Sequence, residues 1–344
     1  RYLDFIGGWA VNCLGHCPPA QIEVNENQTR TLINASPAFN NRPMIEFSET
    51  LLSRCCFDRV FFTSTGAEAN EGAIKLARKY GQLKKNDAFE IITTWNSFHG
   101  RTLTTMSATG KKGWQELFGP KSSGFLKVPF NDIDSVRSAI SADTCAVMIE
   151  PIQGEGGVNL AEPNFITALR ELCDEHDILL IFDEIQTGMG RTGSLFCYER
   201  YGIEPDIMTL GKGIGGGYPL AALLTKERLN LFEPGDQGGT YTGQPLAMAV
   251  GKTVLEELLQ RDLVGNSRRM GEMIMARLNE LGSQLKIERV RGSGLLIGFD
   301  LKDMEGSTLV NRCLKRGVLI NSPGERTIRL MPPLIVSEKE TEQF

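Results

Sequence analysis

Between Val60 and Leu224 the chain alternates short, continuous apolar runs with stretches that carry a helical period. Val60-Phe61-Phe62, Glu90-Ile91-Ile92-Thr93-Thr94, Cys145-Ala146-Val147-Met148-Ile149 and Ile178-Leu179-Leu180-Ile181-Phe182 read as strands. Between them, Ala67 to Tyr80 sets Ala73, Ile74, Ala77 and Tyr80 on one helical face, and Phe165 to Glu175 is a further helix. A strand that is apolar at every position is buried on both faces, so this alternation demands a mainly parallel sheet flanked by helices. In such sheets, ligands sit beyond the carboxyl ends of the strands. The chemistry is therefore expected in the loops that follow those strands.

After Gly243 the texture changes. Helical stretches from Ala247 to Leu259 and Leu263 to Leu281 precede a strand-rich part, Ile287 to Leu301. A helix from Leu309 to Arg316 follows, then Val318-Leu319-Ile320 and Ile328-Arg329-Leu330. The expected class is α/β: a large domain (43–246) with a mainly parallel sheet flanked by helices, and a smaller α+β domain (247–344). The segment 1–42 is expected to pack with the smaller domain. A chain of 344 residues exceeds what one core usually carries, which suits two lobes.

A net charge of -5 gives no cause to expect nucleic acid or an anionic membrane as partner. No apolar run approaches the ~20 residues of a membrane helix. The 8 cysteines are scattered, and Cys55 and Cys56 are adjacent, so free thiols in a reducing, cytoplasmic setting are expected. Cys13-Leu14-Gly15-His16-Cys17 lacks a second ligand pair, and the chain has 3 histidines, so no metal is expected. Arg1-Tyr2-Leu3-Asp4 reads as the middle of a strand, and Ser337-Glu338-Lys339-Glu340 as a capping box close to Phe344. Both ends of the natural protein are expected to lie beyond these residues.

Five segments carry chemical groups. Leu210-Gly211-Lys212-Gly213-Ile214-Gly215-Gly216-Gly217 sets a lysine among glycines, which leaves room for a flat ligand. Asp183 ends the most apolar run, where an acid can hold a buried cation, and Gln186 follows three residues on. Thr63-Ser64-Thr65-Gly66-Ala67-Glu68 joins a strand to a helix; Thr65 and Glu68 form a capping box, and the amides of Gly66 and Ala67 are open to a phosphate. In Phe98-His99-Gly100-Arg101-Thr102, Phe98 can stack on a planar ring and Arg101 can clamp a carboxylate. Glu150-Pro151-Ile152-Gln153-Gly154-Glu155-Gly156-Gly157 is a polar loop whose Glu155 can neutralise an arginine, with Arg329 as the candidate. Each segment alone also has an ordinary reading: a capped helix, a capped turn, a core phenylalanine beside a surface arginine, a solvated loop.

Competing motifs fail on context. Gly211-Lys212-Gly213-Ile214-Gly215-Gly216 matches G-x-G-x-x-G, but Tyr218-Pro219 and the strand-like run Leu220 to Leu224 follow where a dinucleotide site needs a helix. Ser107-Ala108-Thr109-Gly110-Lys111-Lys112 lacks the P-loop spacing, and no G-x-S-x-G elbow occurs.

An amine for a Schiff base and a carboxylate for a pyridine nitrogen are the requirements of pyridoxal phosphate chemistry. Taken together, Val11-Asn12-Cys13-Leu14-Gly15-His16, Ser64 to Glu71, Phe98 to Thr102, Glu150 to Glu155, Asp183-Glu184-Ile185-Gln186-Thr187-Gly188 and Leu210 to Gly213 resemble the class III (subgroup II) pyridoxal phosphate aminotransferases. The resemblance runs over nearly the whole chain and lies nearest the acetylornithine-type members. It implies fold type I and a homodimer with shared active sites. By position it implies that Lys212 is the Schiff-base lysine, Asp183 the partner of the ring nitrogen, Gln186 the group near the ring hydroxyl and Phe98 the stacking residue. It further implies that Thr65, Gly66 and Ala67 cradle the phosphate, and that Thr240 reaches the phosphate from the other subunit. Arg101 and Arg329 then bind the substrate carboxylates, with Glu155 as the gate on Arg329. Thr242 and Gln244 depart from the glycine and asparagine common at those places.

The implied reaction moves the terminal amine of N-acetylornithine to 2-oxoglutarate, giving N-acetylglutamate 5-semialdehyde and glutamate. Donors of N-succinylornithine, succinyldiaminopimelate, ornithine or 4-aminobutyrate type stay open as alternatives. So does an idle relative that only binds the cofactor.

Overall fold

A computed structural model describes Arg1–Phe344, the side chain of Ser283 excepted. At its centre seven strands form one sheet, in the order Arg59–Thr63, Ala221–Thr225, Ile207–Leu210, Leu179–Asp183, Thr144–Ile149, Glu90–Thr94, Phe125–Val128. From Ile207–Leu210 to Phe125–Val128 the neighbours run parallel; Ala221–Thr225 is antiparallel to both of its neighbours. This is the mainly parallel, helix-flanked sheet that the apolar alternation demands.

The strands are buried on both faces because successive side chains enter different layers. Ala146, Met148, Leu179 and Ile181 pack with Ala73, Ile74, Ala77 and Tyr80 of the helix Gly66–Lys84. Val147, Ile149, Leu180 and Phe182 pack on the other side with Phe165 and Leu169 of the helix Pro163–Glu175 and with Val250 and Val254 of the helix Pro245–Gln260. Burying one such side chain contributes about 1.5–3 kcal/mol, so these central strands carry much of the core's apolar burial.

The C-terminal part builds a second, antiparallel sheet in the order Ile287–Ser293, Leu296–Leu301, Thr327–Leu330, backed by the helix Leu263–Leu285. The start of the chain joins it. Leu3–Asp4 pairs in parallel with Val318–Leu319, the rings of Phe5 and Phe344 stack at 4.3 Å, and the amide of Met331 donates to Phe5 O at 2.7 Å. No helix among the described residues is long and apolar enough to cross a membrane.

The structure adds four elements to those expected from the sequence: the helices Pro19–Thr31, Arg42–Leu52 and Ile133–Ala139, and the strand Phe125–Val128. Pro19–Thr31 buries only Gln21, so it lacks the apolar stripe that marks a helix. Phe125–Val128 is a short edge strand, and only its last residue is buried.

Candidate active site

The site is built at the carboxyl edge of the central sheet. Ile149 pairs with Phe182, and Asp183 with Thr209. Glu150 and Asp183 therefore leave neighbouring strands side by side, and Lys212 follows Thr209 by three residues. Lys212 opens a tight turn, Lys212–Gly215, with φ of 46°, and Gly216 closes it at φ 54°. A left-handed lysine is costly unless its surroundings hold it there.

The glycines near Lys212 also serve protein packing. A Cβ on Gly211 would lie 3.0 Å from Ile185 Cγ2 and 3.5 Å from Gly66 Cα. One on Gly66 would lie 2.8 Å from Ile185 Cδ1. The lysine turn and the start of the helix Gly66–Lys84 are thus pressed together around Ile185. Cys13 secures the turn from the N-terminal segment by donating its thiol to Gly213 O at 3.3 Å.

At that helix start Glu68 Oε2 accepts from the amides of Ser64 at 2.8 Å and Thr65 at 3.0 Å, while Thr65 Oγ1 accepts from the Glu68 amide. The capping box leaves the amides of Gly66 and Ala67 without an acceptor among the described residues. They form a donor pair at a helix N-terminus, suited to an anion.

Asp183 is buried at 4% exposure. Its Oδ2 accepts from Asn70 Nδ2 and from His99 Nδ1, each at 2.8 Å, and its Oδ1 from the Ile185 amide at 3.1 Å. It therefore both caps the turn and lies in the site. The fully buried Asn70 also donates to His99 O at 2.7 Å and accepts from Thr209 Oγ1 at 2.7 Å. His99 Nε2 is buried with no partner among the described residues.

Glu150 Oε1 accepts from the Phe98 amide at 2.7 Å. Burial pushes the Glu150 carboxyl up to about 7; nearby His99 opposes this and Asp183 adds to it. Burial likewise lowers the Lys212 ammonium from its ordinary value, against the pull of Asp183 and Glu150. Lys212 is thereby neutral more often than a surface lysine.

The Phe98 ring meets Trp114 edge-on at 5.7 Å. The exposed Arg101 lies over both rings, at 5.0 Å from Trp114 and 5.9 Å from Phe98. Arg329, fully buried, points from the C-terminal sheet into the same region. Its NH2 donates to Glu155 Oε2 at 3.0 Å, its NH1 to Gln186 Oε1 at 3.3 Å and its Nε to Asn321 Oδ1 at 3.2 Å. Gln186 can come this close because a Cβ on Gly154 would lie 1.6 Å from its Oε1. Burial works against the Glu155 anion, but Arg329 and Lys111 outweigh it and hold the carboxyl below its usual range. Thr240 is exposed, and no hydrogen bond ties it to these residues among those described.

The structure thus gathers Thr65, Gly66, Ala67, Phe98, Arg101, Glu155, Asp183, Gln186, Lys212 and Arg329, and leaves Thr240 apart. Five residues that sequence reasoning passes over stand among them: Trp9, Asn70, His99, Lys111 and Glu150. Trp9 lies in a left-handed run, Gly7 to Ala10, with its ring 5.6 Å from the Arg329 guanidinium. Glu150 did carry a signal, since it ends a buried strand just as Asp183 does.

The sequence profile of the class-III aminotransferases matches residues 1–344. Acetylornithine aminotransferase 2 of Bordetella pertussis is 50% identical over 343 residues, covering 99% of this chain and 87% of that protein. Acetylornithine aminotransferase of Ralstonia nicotianae is 50% identical over 349 residues, covering 99% and 88%. Among solved structures, the ornithine aminotransferase of Toxoplasma gondii, crystallised with oxidized glutathione and with partial occupancy of PLP at its active site, superposes with a TM-score of 0.94 at 32% identity, covering 99% of this chain and 83% of that one.

Proposed function

The chain belongs to the class-III aminotransferase family, and from that membership we propose that it transfers the terminal amine of N-acetylornithine to 2-oxoglutarate, yielding N-acetylglutamate 5-semialdehyde and glutamate. Pyridoxal 5'-phosphate is its cofactor. The residues suit that group: two open amides at a helix start for the phosphate, a buried acid for the ring nitrogen, and an amine with a lowered pKa beside them. Thr65, Gly66 and Ala67 would hold the phosphate, Phe98 would stack on the ring, Gln186 would take the ring hydroxyl and Asp183 the ring nitrogen. When bound, pyridoxal phosphate supplies an aldehyde that takes up the amine and a cationic ring that withdraws electrons.

Lys212 Nζ is the attachment point and the base. With its ammonium disfavoured by burial, it would move a proton at the amine-bearing carbon of the substrate. Asp183, oriented by Asn70 and His99, would stabilise the ring cation of the bound group. Arg101 takes the single carboxylate of N-acetylornithine. In the second half, the two carboxylates of 2-oxoglutarate need two arginines, Arg101 and Arg329. Glu155 screens Arg329 in the first half and leaves it in the second, which gives one site two charge patterns.

The observation that carries this reading is Arg329: a fully buried arginine whose counter-ion is a loop glutamate 3.0 Å away. The test is a panel of N-acetylornithine, N-succinylornithine, succinyldiaminopimelate, ornithine and 4-aminobutyrate, each with 2-oxoglutarate. N-acetylornithine should give the highest kcat/KM; a higher value for ornithine, the donor in the name of the Toxoplasma relative, would replace this reading with that one.

Completion of the site by a second copy of the chain, working in the cytoplasm, belongs to the same reading. Its supports are the exposure of Thr240 and eight unpaired cysteines. The division into segment 1–42, large domain 43–246 and small domain 247–344 places Arg329 and Lys212 on different domains.

A further inference from the structure

The Glu155 carboxylate is shared. While Oε2 accepts from Arg329, Oε1 accepts from Lys111 Nζ at 3.0 Å. Its two partners differ in mobility. Arg329 is anchored by Asn321 and Gln186 and by its strand, where its amide donates to Asn321 O at 2.9 Å. It cannot follow a departing carboxylate. Glu155 lies in the run Gly154 to Gly157 at 28% side-chain exposure, and Lys111 is exposed to the same extent. Lys111 Nζ also stands 5.3 Å from the Phe98 ring centre and 5.1 Å from that of Trp114, the pair of rings that Arg101 covers.

We propose that Lys111 is a specificity-determining residue of the acceptor half-reaction: it is the counter-ion that receives Glu155 when 2-oxoglutarate takes Arg329. This rests on Glu155 acting as the gate. A carboxylate leaving a buried arginine loses its charge partner, and an unpaired, half-buried anion is disfavoured. Lys111 already binds the second oxygen, so Glu155 pivots away from Arg329 without ever being unpaired. The lysine stem, lying against Phe98 and Trp114, keeps the ammonium at the site mouth, where the pivoting carboxylate arrives. Lys111 touches neither reacting atom; it acts by setting how readily Arg329 is exposed to a second carboxylate.

The test uses the holoenzyme with Lys111→Met, which keeps the stem over the rings and removes the charge. KM for 2-oxoglutarate should rise by roughly fivefold, the scale of one partly exposed ion pair, with kcat and the single-turnover half-reaction with N-acetylornithine moving less than about twofold. Lys111→Arg should restore KM. In a Glu155→Ala background, Lys111→Met should have no further effect on KM. An unchanged or lower KM, or an equal rise in the Glu155→Ala background, overturns the proposal. The gate reading fails separately: if Glu155→Ala leaves the preference between mono- and dicarboxylate donors unchanged, the gate and the role of Lys111 fall together. If it shifts that preference and Lys111→Met does nothing, only Lys111 is reassigned.

Discussion

Arg329 and Glu155 meet at 3.0 Å although 174 residues separate them in the chain. The arginine is fixed and fully buried, whereas the glutamate is partly exposed on a glycine-rich loop. The movable partner of this pair is therefore the acid, as the proposed gate on Arg329 requires.

Removing that acid tests the consequence. Glu155→Ala leaves Arg329 free for a second carboxylate in both half-reactions. Glutamate should then improve as a donor by roughly tenfold relative to N-acetylornithine, a shift of about 1.4 kcal/mol. Ratios of kcat/KM for the two donors check this.

Lys212→Ala removes the proposed attachment point and base. Turnover should fall by roughly ten-thousand-fold, and the near-visible absorbance of the bound cofactor should disappear. A variant that keeps either would remove Lys212 from its role.

Asn70→Ala withdraws one donor from Asp183, one from His99 O and the acceptor of Thr209. A buried group left without a partner costs about 1–3 kcal/mol, so the urea midpoint should drop measurably. Cofactor affinity, read by fluorescence titration, should weaken as well, because Asp183 loses its orientation. Asn70→Asp should be worse, since it sets a second carboxylate against the first.

Glu150 gives a pH signature. Burial raises its carboxyl from 4.5 to about 7 in the folded state. The folded protein thus holds a proton that the unfolded chain releases between those values. Its stabilising contribution is complete below pH 4.5 and is lost as pH rises through about 7. Glu150→Gln keeps an acceptor for the Phe98 amide and should flatten that part of the stability profile, by up to about 3 kcal/mol across the window. Denaturation midpoints of both proteins at pH 4.5, 6 and about 7.5 decide it, and parallel profiles would count against the buried proton.

The sequence made the sheet legible because its central strands, Thr144–Ile149 and Leu179–Asp183, are almost continuously apolar, and such runs are read directly from residue order. Asp183 and Lys212 were legible for the same reason, as each sits where such a run ends. Asn70, His99 and Lys111 were not. Their roles come from what stands opposite them across 113, 84 and 44 residues, which no local pattern encodes. The polar helix Pro19–Thr31 escaped because burial of one glutamine leaves no stripe. The glycines around Lys212 were legible as glycines, but their reason was not. Close approach of Ile185 and the Gly66 helix start constrains Gly211, and Met189 and Leu220 crowd Gly213 and Gly215, which appears only once the strands are side by side.

Asn70 also acts as a gauge. Its amide binds Asp183 and His99 O through nitrogen and Thr209 through oxygen, which leaves it a single orientation. It stands on the helix that begins with the open amides of Gly66 and Ala67. One side chain thus ties the position of those open amides to that of the buried acid, so a shift of the helix would move both together.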